Sequence, residues 1–160
     1  MIIVTVGMQL GFDRLIEAMD KLAPGLGMPV IAQNGKGSYR PQNMEARAKI
    51  APSEFEKLVG QARLIVSHAG IGTVLTAARC AKPIVLMPRR ADLGEHRNDH
   101  QLASVRKLDG RPGILVAMNE DALTSRIAEG LALNDWSAQQ SATARQLHSA
   151  LAAFIEDRLA

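Results

Sequence analysis

The sequence predicts a doubly wound α/β fold, in which a parallel β-sheet carries helices on both faces. Short apolar, β-branched runs alternate along the chain with longer segments whose apolar residues recur at helical spacing. The apolar runs are continuous, which is typical of parallel strands buried on both faces, and right-handed crossovers place the helices on the two sides. The length of 160 residues suits one domain, so residues 1–160 are interpreted as a single unit.

Six short apolar runs are predicted to be strands. The first, MIIVTV, ends at Gly7, and the second, MPVIAQ, is closed by the turn sequence NGKG. The third, ARAKIA, gives the weakest signal of the six. The predicted strands span residues 1–6, 28–33, 46–51, 63–67, 83–88 and 113–117.

Segments with helical periodicity fill the spaces between these runs. The first has apolar residues at helical spacing, namely Phe12, Leu15, Ile16, Met19 and Leu22. Pro52 indicates the start of the second, because proline fits the first turn of a helix. The segment 32–44, rich in Gly, Asn, Gln and Pro, is predicted to be a mobile loop. The predicted helices span residues 11–23, 53–62, 71–81, 97–109, 120–132 and 136–159.

The composition argues against several classes of function. Aromatic residues make up 3% of the chain, too few for platforms that stack bases, and the net charge of +3 is spread out, so no nucleic-acid partner is expected. Cys80 is the single cysteine, which excludes an intrachain disulfide and fits a reducing cytoplasm. No apolar run approaches the ~20 residues that cross a bilayer, and the N-terminal MIIVTVG lacks the basic region of a signal peptide. We therefore expect a cytoplasmic protein.

The stretch IVSHAGIGTVLTA, residues 65–77, places a histidine and two glycines between a strand and a helix. Gly70 and Gly72 allow close approach to the backbone, and the first turn of the helix offers unpaired N–H groups and the positive end of its dipole. With His68 and Thr73 as further donors, the stretch is interpreted as a phosphate cradle. A plain strand–helix turn with a locally bonded histidine explains the spacing equally well.

A second glycine turn, VGMQLGF, follows the first predicted strand and includes Gly7 and Gly11. The carboxyl ends of parallel strands meet at one edge of the sheet, where ligands bind in such folds. The turn is therefore expected to face the same ligand as the stretch around His68. A simple turn without a ligand is the alternative.

A dense run of polar residues, PRRADLGEHRNDHQLA at 88–103, follows the fifth predicted strand. Such density directly after a buried strand favours a ligand loop. His96 and His100 have the spacing of metal ligands on a helix, with Glu95 and Asp99 nearby, but no clear third ligand is present elsewhere. No metal is therefore predicted. Serine hydrolase chemistry is not supported either, because the G-x-S-x-G elbow is missing.

The combined motifs RLIVSHAGIGTVLTAARCAKPIVLMPRR and GEHRNDHQLA resemble the C-terminal half of family 28 glycosyltransferases. They are most similar to small subunits of two-component glycosyltransferases. These are the PssE-like subunits of bacterial exopolysaccharide synthesis and the cytosolic subunit of the dolichol-linked N-acetylglucosamine transferase. The opening IVTVGMQLGFDRLI fits the same families, and the likeness runs from residue 2 to about 130. The resemblance implies a Rossmann-like domain equivalent to the C-terminal half of a GT-B enzyme.

The resemblance also implies which residues hold a UDP-sugar. The two glycine turns would bind the diphosphate, His100 and Gln101 would contact the sugar, and Glu95 and His96 belong to the signature of the exopolysaccharide branch. Thr76 stands where the family usually has an acidic residue for the ribose, which weakens that contact. The expected ligand-binding residues are Gly7, Met8, Gln9, Gly11, His68, Ala69, Gly70, Gly72, Thr73, Thr76, Glu95, His96, His100 and Gln101.

The function implied is that of the donor-binding subunit of an inverting glycosyltransferase, with a UDP-sugar as substrate and no cofactor. A membrane-associated partner would bind a polyprenol-linked sugar acceptor and hold the chain at the inner face of the membrane. The general base is not assigned, and His68, His96 and His100 are candidates because imidazole titrates near neutrality. Two alternatives stay open: a nucleotide-sugar epimerase or hydrolase working as a homo-oligomer, and a non-catalytic UDP-sugar-binding regulator.

The predicted C-terminal helix offers a possible surface for the partner, on a face with Leu147, Leu151, Phe154 and Ile155 after Trp136. Packing of this face onto its own domain is the alternative.

Overall fold

The computed structural model describes residues 1–133. In this part of the chain, six strands form one sheet in the order β3-β2-β1-β4-β5-β6, and every neighbouring pair is parallel. The strands are β1 (Ile2–Thr5), β2 (Val30–Gln33), β3 (Glu45–Arg47), β4 (Leu64–His68), β5 (Ile84–Met87) and β6 (Ile114–Val116). The predicted parallel, doubly wound α/β fold is confirmed.

Within residues 1–133, five helices connect the strands and cover both faces of the sheet. They are α1 (Asp13–Leu22), α2 (Pro52–Gln61), α3 (Ile71–Arg79), α4 (His100–Leu108) and α5 (Leu123–Ala132), and short 3₁₀ turns occur at Ala23–Gly25 and Ala91–Leu93. The predicted helix at 136–159 and its apolar face lie outside the described residues.

Alternate residues of the central strands β1, β4 and β5 pack into two separate hydrophobic cores. Ile2 and Val4 of β1 lie in the core under α1 and α5, whereas Ile3 between them lies in the core under α2, α3 and α4. All of these side chains are fully buried. This is why the sequence of the central strands is continuously apolar rather than alternating.

Several predicted boundaries differ from the structure, and hydrogen bonds explain two of these differences. The third strand is Glu45–Arg47 instead of 46–51, because only these residues pair with β2 at the edge of the sheet. The fourth crossover helix begins at His100 instead of residue 97. The preceding residues form a looped segment in which Asp99 Oδ1 accepts a hydrogen bond from the Ala91 N–H, 3.0 Å away.

The segment predicted to be a mobile loop, 32–44, is fastened to α1 by a buried carboxylate. Asp20 is 2% exposed and accepts hydrogen bonds from the Tyr39 hydroxyl at 3.0 Å and from the N–H groups of Gln42 and Asn43 at 3.0 and 2.7 Å. These bonds hold the pKa of Asp20 below its usual value against the opposing effect of burial. The loop thereby gains a fixed end beside the helix.

Candidate functional site

The strand order reverses between β1 and β4, which places a crevice at their carboxyl ends. In such sheets ligands bind at this switch point. Thr5, the last residue of β1, pairs with Ser67 of β4, and the Ser67 hydroxyl donates to the Thr5 carbonyl at 3.0 Å. The predicted glycine turn after β1 and the predicted cradle after β4 therefore meet at one place.

His68 fills part of the space that the glycines leave open. Gly7 turns the chain at a φ of +76°, and a Cβ there would lie 3.1 Å from His68 Cε1. A Cβ on Gly70 would overlap the imidazole at Nε2. Gly72 differs, because a Cβ there would meet nothing within 4 Å. The sequence interpretation assigned both glycines of the cradle to close approach of a phosphate. In the structure, the missing side chain of Gly70 makes room for the imidazole of His68.

The imidazole of His68 is held in the neutral form. Burial and, to a smaller extent, the positive charge of Arg89 together lower its pKa from 6.5 to about 4. Nδ1 lies 3.3 Å from Ser67 Oγ and 3.5 Å from the Thr5 carbonyl. Because Ser67 already donates to that carbonyl, both neighbours of Nδ1 act as acceptors and Nδ1 carries the proton. Nε2 is then an acceptor in the unliganded chain, whereas the sequence suggested a donor to phosphate.

Arg89 is a residue that the sequence interpretation left out of the site. Its side chain is 2% exposed and donates to the carbonyls of Val6 at 2.8 Å, Leu10 at 3.1 Å and Gly11. The guanidinium also lies over the Phe12 ring, 4.8 Å from its centre. The glycine turn after β1 is thus held from the inside by a residue of the loop that follows β5.

Glu95 forms ion pairs with Arg14 of α1. Its two carboxylate oxygens accept from Arg14 Nε at 2.6 Å and Nη2 at 2.8 Å, and one of them also accepts from the Arg90 N–H at 2.9 Å. Arg14 also pairs with Glu120 at 3.0 Å. Glu95 therefore ties the polar loop 88–99 to α1, and it does not line the cleft described next.

A cleft of about 350 Å³ collects six of the fourteen expected ligand-binding residues, namely Gly7, Met8, Gln9, His68, His96 and Gln101. His96 contributes an imidazole whose Nδ1 is buried and has no hydrogen-bond partner within the described chain. Gln101 uses its Oε1 to accept from the Arg89 N–H at 3.0 Å, which leaves its amide nitrogen unassigned. The cleft is lined by Val6, Gly7, Met8, Gln9, Leu10, His68, Arg89, His96 and Gln101.

Other predicted residues do not line this cleft. His100 is exposed at the start of α4. Thr76 donates its hydroxyl to the Gly72 carbonyl one turn earlier in α3, at 3.0 Å, so that the proton is already engaged. Ala69 and Gly70 lie in the turn between β4 and α3, and Gly72 and Thr73 lie in the first turn of α3.

Residues 1–133 contain neither a cluster of metal ligands nor a membrane-spanning helix. Within that range no group of three or more His, Cys, Asp or Glu residues is placed to hold a metal ion. None of the helices described there is both long enough and apolar enough to cross a membrane.

The fold is that of a Rossmann-like domain, and its candidate site lies at the carboxyl edge of the sheet. Residues 1–156 match the glycosyltransferase family 28 C-terminal domain, and the chain belongs to this family. The resemblance found in the motifs is confirmed.

Part of the chain is 39% identical, over 71 residues, to a curated relative, the UDP-N-acetylglucosamine transferase subunit ALG13 of Cryptococcus neoformans var. neoformans serotype D. That match covers 43% of this chain and 34% of the relative, so the chain spans about a third of the relative's length.

Two solved glycosyltransferases have a similar fold. The glycosyltransferase of kitacinnamycin has a TM-score of 0.66 and 18% identity, over 98% of this chain and 42% of that protein. MurG of Acinetobacter baumannii has a TM-score of 0.61 and 22% identity, over 90% of this chain and 44% of that protein. At these identities the likeness shows the fold, which is that of one part of a larger enzyme.

Proposed function

We propose that the chain is the donor-binding subunit of an inverting glycosyltransferase. In this proposal a hexose or hexuronic acid passes from a UDP-sugar to a lipid-linked acceptor in exopolysaccharide biosynthesis. The observation that carries the proposal is the convergence of the Gly7 turn, His68 and Gln101 on one cleft of a family 28 domain. The name of the curated relative describes it as a subunit of a UDP-N-acetylglucosamine transferase. This supports a UDP-sugar donor and a separate partner subunit.

The proposed chemistry is electrostatic stabilisation of the departing UDP. The N-terminus of α3 offers N–H groups next to Gly72, where the backbone can be approached closely. Arg89 adds a fixed positive charge at the base of the cleft. Dipoles and charges held in place before the reaction need no reorganisation as the leaving group gains charge.

A partner subunit would complete the enzyme. The curated relative is named as a subunit, which supports an acceptor-binding part on a second polypeptide. We propose a membrane-associated partner that binds a polyprenol-linked sugar and keeps this chain in the cytoplasm at the inner face of the membrane. For the general base, His68 and His96 are better placed than His100, because they line the cleft.

The first test is calorimetric titration of the purified chain with UDP, UDP-glucose, UDP-glucuronate and UDP-N-acetylglucosamine. His68→Ala should weaken every ligand, whereas Gln101→Ala should weaken the sugar nucleotides and leave UDP nearly unchanged. Arg106→Ala is the matched control, because Arg106 is exposed at the other end of the helix that carries Gln101. Equal loss with the control variant would contradict the assignment.

The second test is turnover with the co-expressed partner, measured as release of UDP in the presence of a polyprenol-linked acceptor. Release that depends on both chains and is reduced by His68→Ala supports the transferase. Tight binding of a UDP-sugar without any release, with the partner present, favours the regulator instead. The regulator stays a candidate because the Thr76 hydroxyl already donates to the Gly72 carbonyl. It therefore offers the ribose a weaker contact than a carboxylate would.

A further inference from the structure

Arg89 carries a buried charge that no neighbouring carboxylate neutralises in the described part of the chain. The side chain is 2% exposed, and its hydrogen bonds go to backbone carbonyls of Val6, Leu10, Gly11 and Glu95. The Glu95 carboxylate acts on Arg89 only at longer range, because Arg14 occupies both of its oxygens. A buried ion with only neutral partners is unfavourable. Such a charge needs either a structural reason or an anionic ligand.

The carbonyls that Arg89 binds belong mainly to the turn between β1 and α1. Val6 enters this turn, and Leu10 and Gly11 leave it, so a single guanidinium holds both of its ends. In a trans peptide the N–H group points to the side opposite the carbonyl. By binding the carbonyls, Arg89 therefore fixes the direction of the N–H groups in the same peptide units.

Arg89 also lines the cleft, together with residues on both sides of it. His68 and His96 lie around the same space, and neither compensates a positive charge. Nδ1 of His96 is buried without a partner among the described residues. The cleft thus combines the charge of Arg89, which no carboxylate balances, with the unpartnered Nδ1 of His96. An anion with oxygen atoms would balance the charge and provide hydrogen-bond acceptors.

We propose that Arg89 is the positioning residue for the donor's diphosphate: it fixes the turn that contacts the phosphates and supplies the charge that they neutralise. The inference rests on the proposed function for the identity of the ligand, and it gives a role to a residue that is not among the expected ligand-binding residues. A purely structural role would need only the carbonyl contacts. The proposed role also requires that the affinity for phosphate depends on the positive charge of Arg89.

The test compares Arg89→Met and Arg89→Lys with Arg90→Met. Methionine removes the donors and the charge, and lysine keeps the charge but loses the planar fork. Arg90 is the matched control, because it is the next residue in the chain, but its side chain is 40% exposed and paired with Asp92. Calorimetry measures the affinity for inorganic pyrophosphate, UDP and UDP-glucose. Thermal melting confirms that each variant is folded.

Arg89→Met should lose about 10- to 100-fold in affinity for pyrophosphate and UDP, as expected for a charge-assisted contact. Arg89→Lys should lose less, and Arg90→Met should keep the wild-type affinity. A folded Arg89→Met that binds pyrophosphate and UDP like the wild type overturns the proposal. A wild-type chain that binds neither also overturns it, because the arginine and its turn are already formed in this chain.

A second readout separates a charge effect from a structural one. The charge of Arg89 helps to hold the His68 pKa low, so the pKa measured by NMR at the imidazole should rise in Arg89→Met and stay low in Arg89→Lys. Saturating the wild type with pyrophosphate should raise it as well, by at least about one unit. An unchanged His68 pKa in the pyrophosphate-saturated wild type overturns the proposal even if Arg89→Met does not fold.

The two proposals can fail separately. Loss of pyrophosphate affinity in Arg89→Met, with no binding of UDP-sugars by the wild type, supports the role of Arg89 and rejects the UDP-sugar function. Equal binding of UDP-glucose by wild type and Arg89→Met supports the function and rejects the role of Arg89.

Discussion

Neutral, buried His68 should make the protein sensitive to mild acid. Its pKa is 6.5 when solvated and about 4 in the fold, so the unfolded chain binds a proton more readily than the folded one. The folded state therefore keeps its full stability above pH 6.5 and loses it as the pH falls towards 4. Between pH 7.5 and pH 5 these two pKa values correspond to a loss of about 2 kcal/mol in the free energy of unfolding.

The comparison variant is His68→Asn, whose amide keeps a donor near the position of Nδ1 but does not titrate. Urea unfolding of both proteins at pH 7.5 and pH 5, followed by circular dichroism, gives the two changes in stability. The wild type should lose about 2 kcal/mol more than the variant over this interval. The other titrating groups are present in both proteins and cancel in the difference. Equal losses in the two proteins would refute a buried, neutral His68.

Further predictions concern the glycines and the fastened loop. Gly70→Ala should displace the imidazole of His68, because the new Cβ would overlap it, and should weaken UDP binding about tenfold or more. Gly72→Ala should fold normally, with a melting temperature at least as high as that of the wild type. Its Cβ meets open space, and alanine favours a helix. A normal His68 NMR signal in Gly70→Ala would contradict this. Asp20→Asn should destabilise the fold by about 1–3 kcal/mol in urea unfolding and speed hydrogen exchange at Gln42, since an amide replaces the charged acceptor. Unchanged exchange at that N–H would show that the loop is held by other contacts.

The fold was predictable from the sequence because its signals are local. Continuous apolar runs identify strands buried on both faces, and helical spacing identifies the segments between them. Where the pattern failed, a partner in space decided the boundary. The third strand stops at Arg47 because β2 offers pairing only to Glu45–Arg47. The helix α4 begins only at His100, because the side chain of Asp99 accepts a hydrogen bond from the Ala91 N–H.

The sequence by itself determined the order of strands and helices, the glycine turns, and the strand ends at which polar residues follow. Each of these depends on the conformational preferences of neighbouring residues. The parallel arrangement then brings the turn at Gly7 and the turn at His68 to one edge.

The tertiary structure decided how those residues behave. Glu95 pairs with Arg14, 81 residues away, and Arg89 holds the Val6 carbonyl, 83 residues away. The low pKa of His68 follows from burial and from that same arginine. Hydrogen bonds and charges act between groups that only folding brings together, and in a buried environment they are stronger than in water. No local pattern in the sequence contains those distances, so the cation beneath the cleft became visible only in the folded chain.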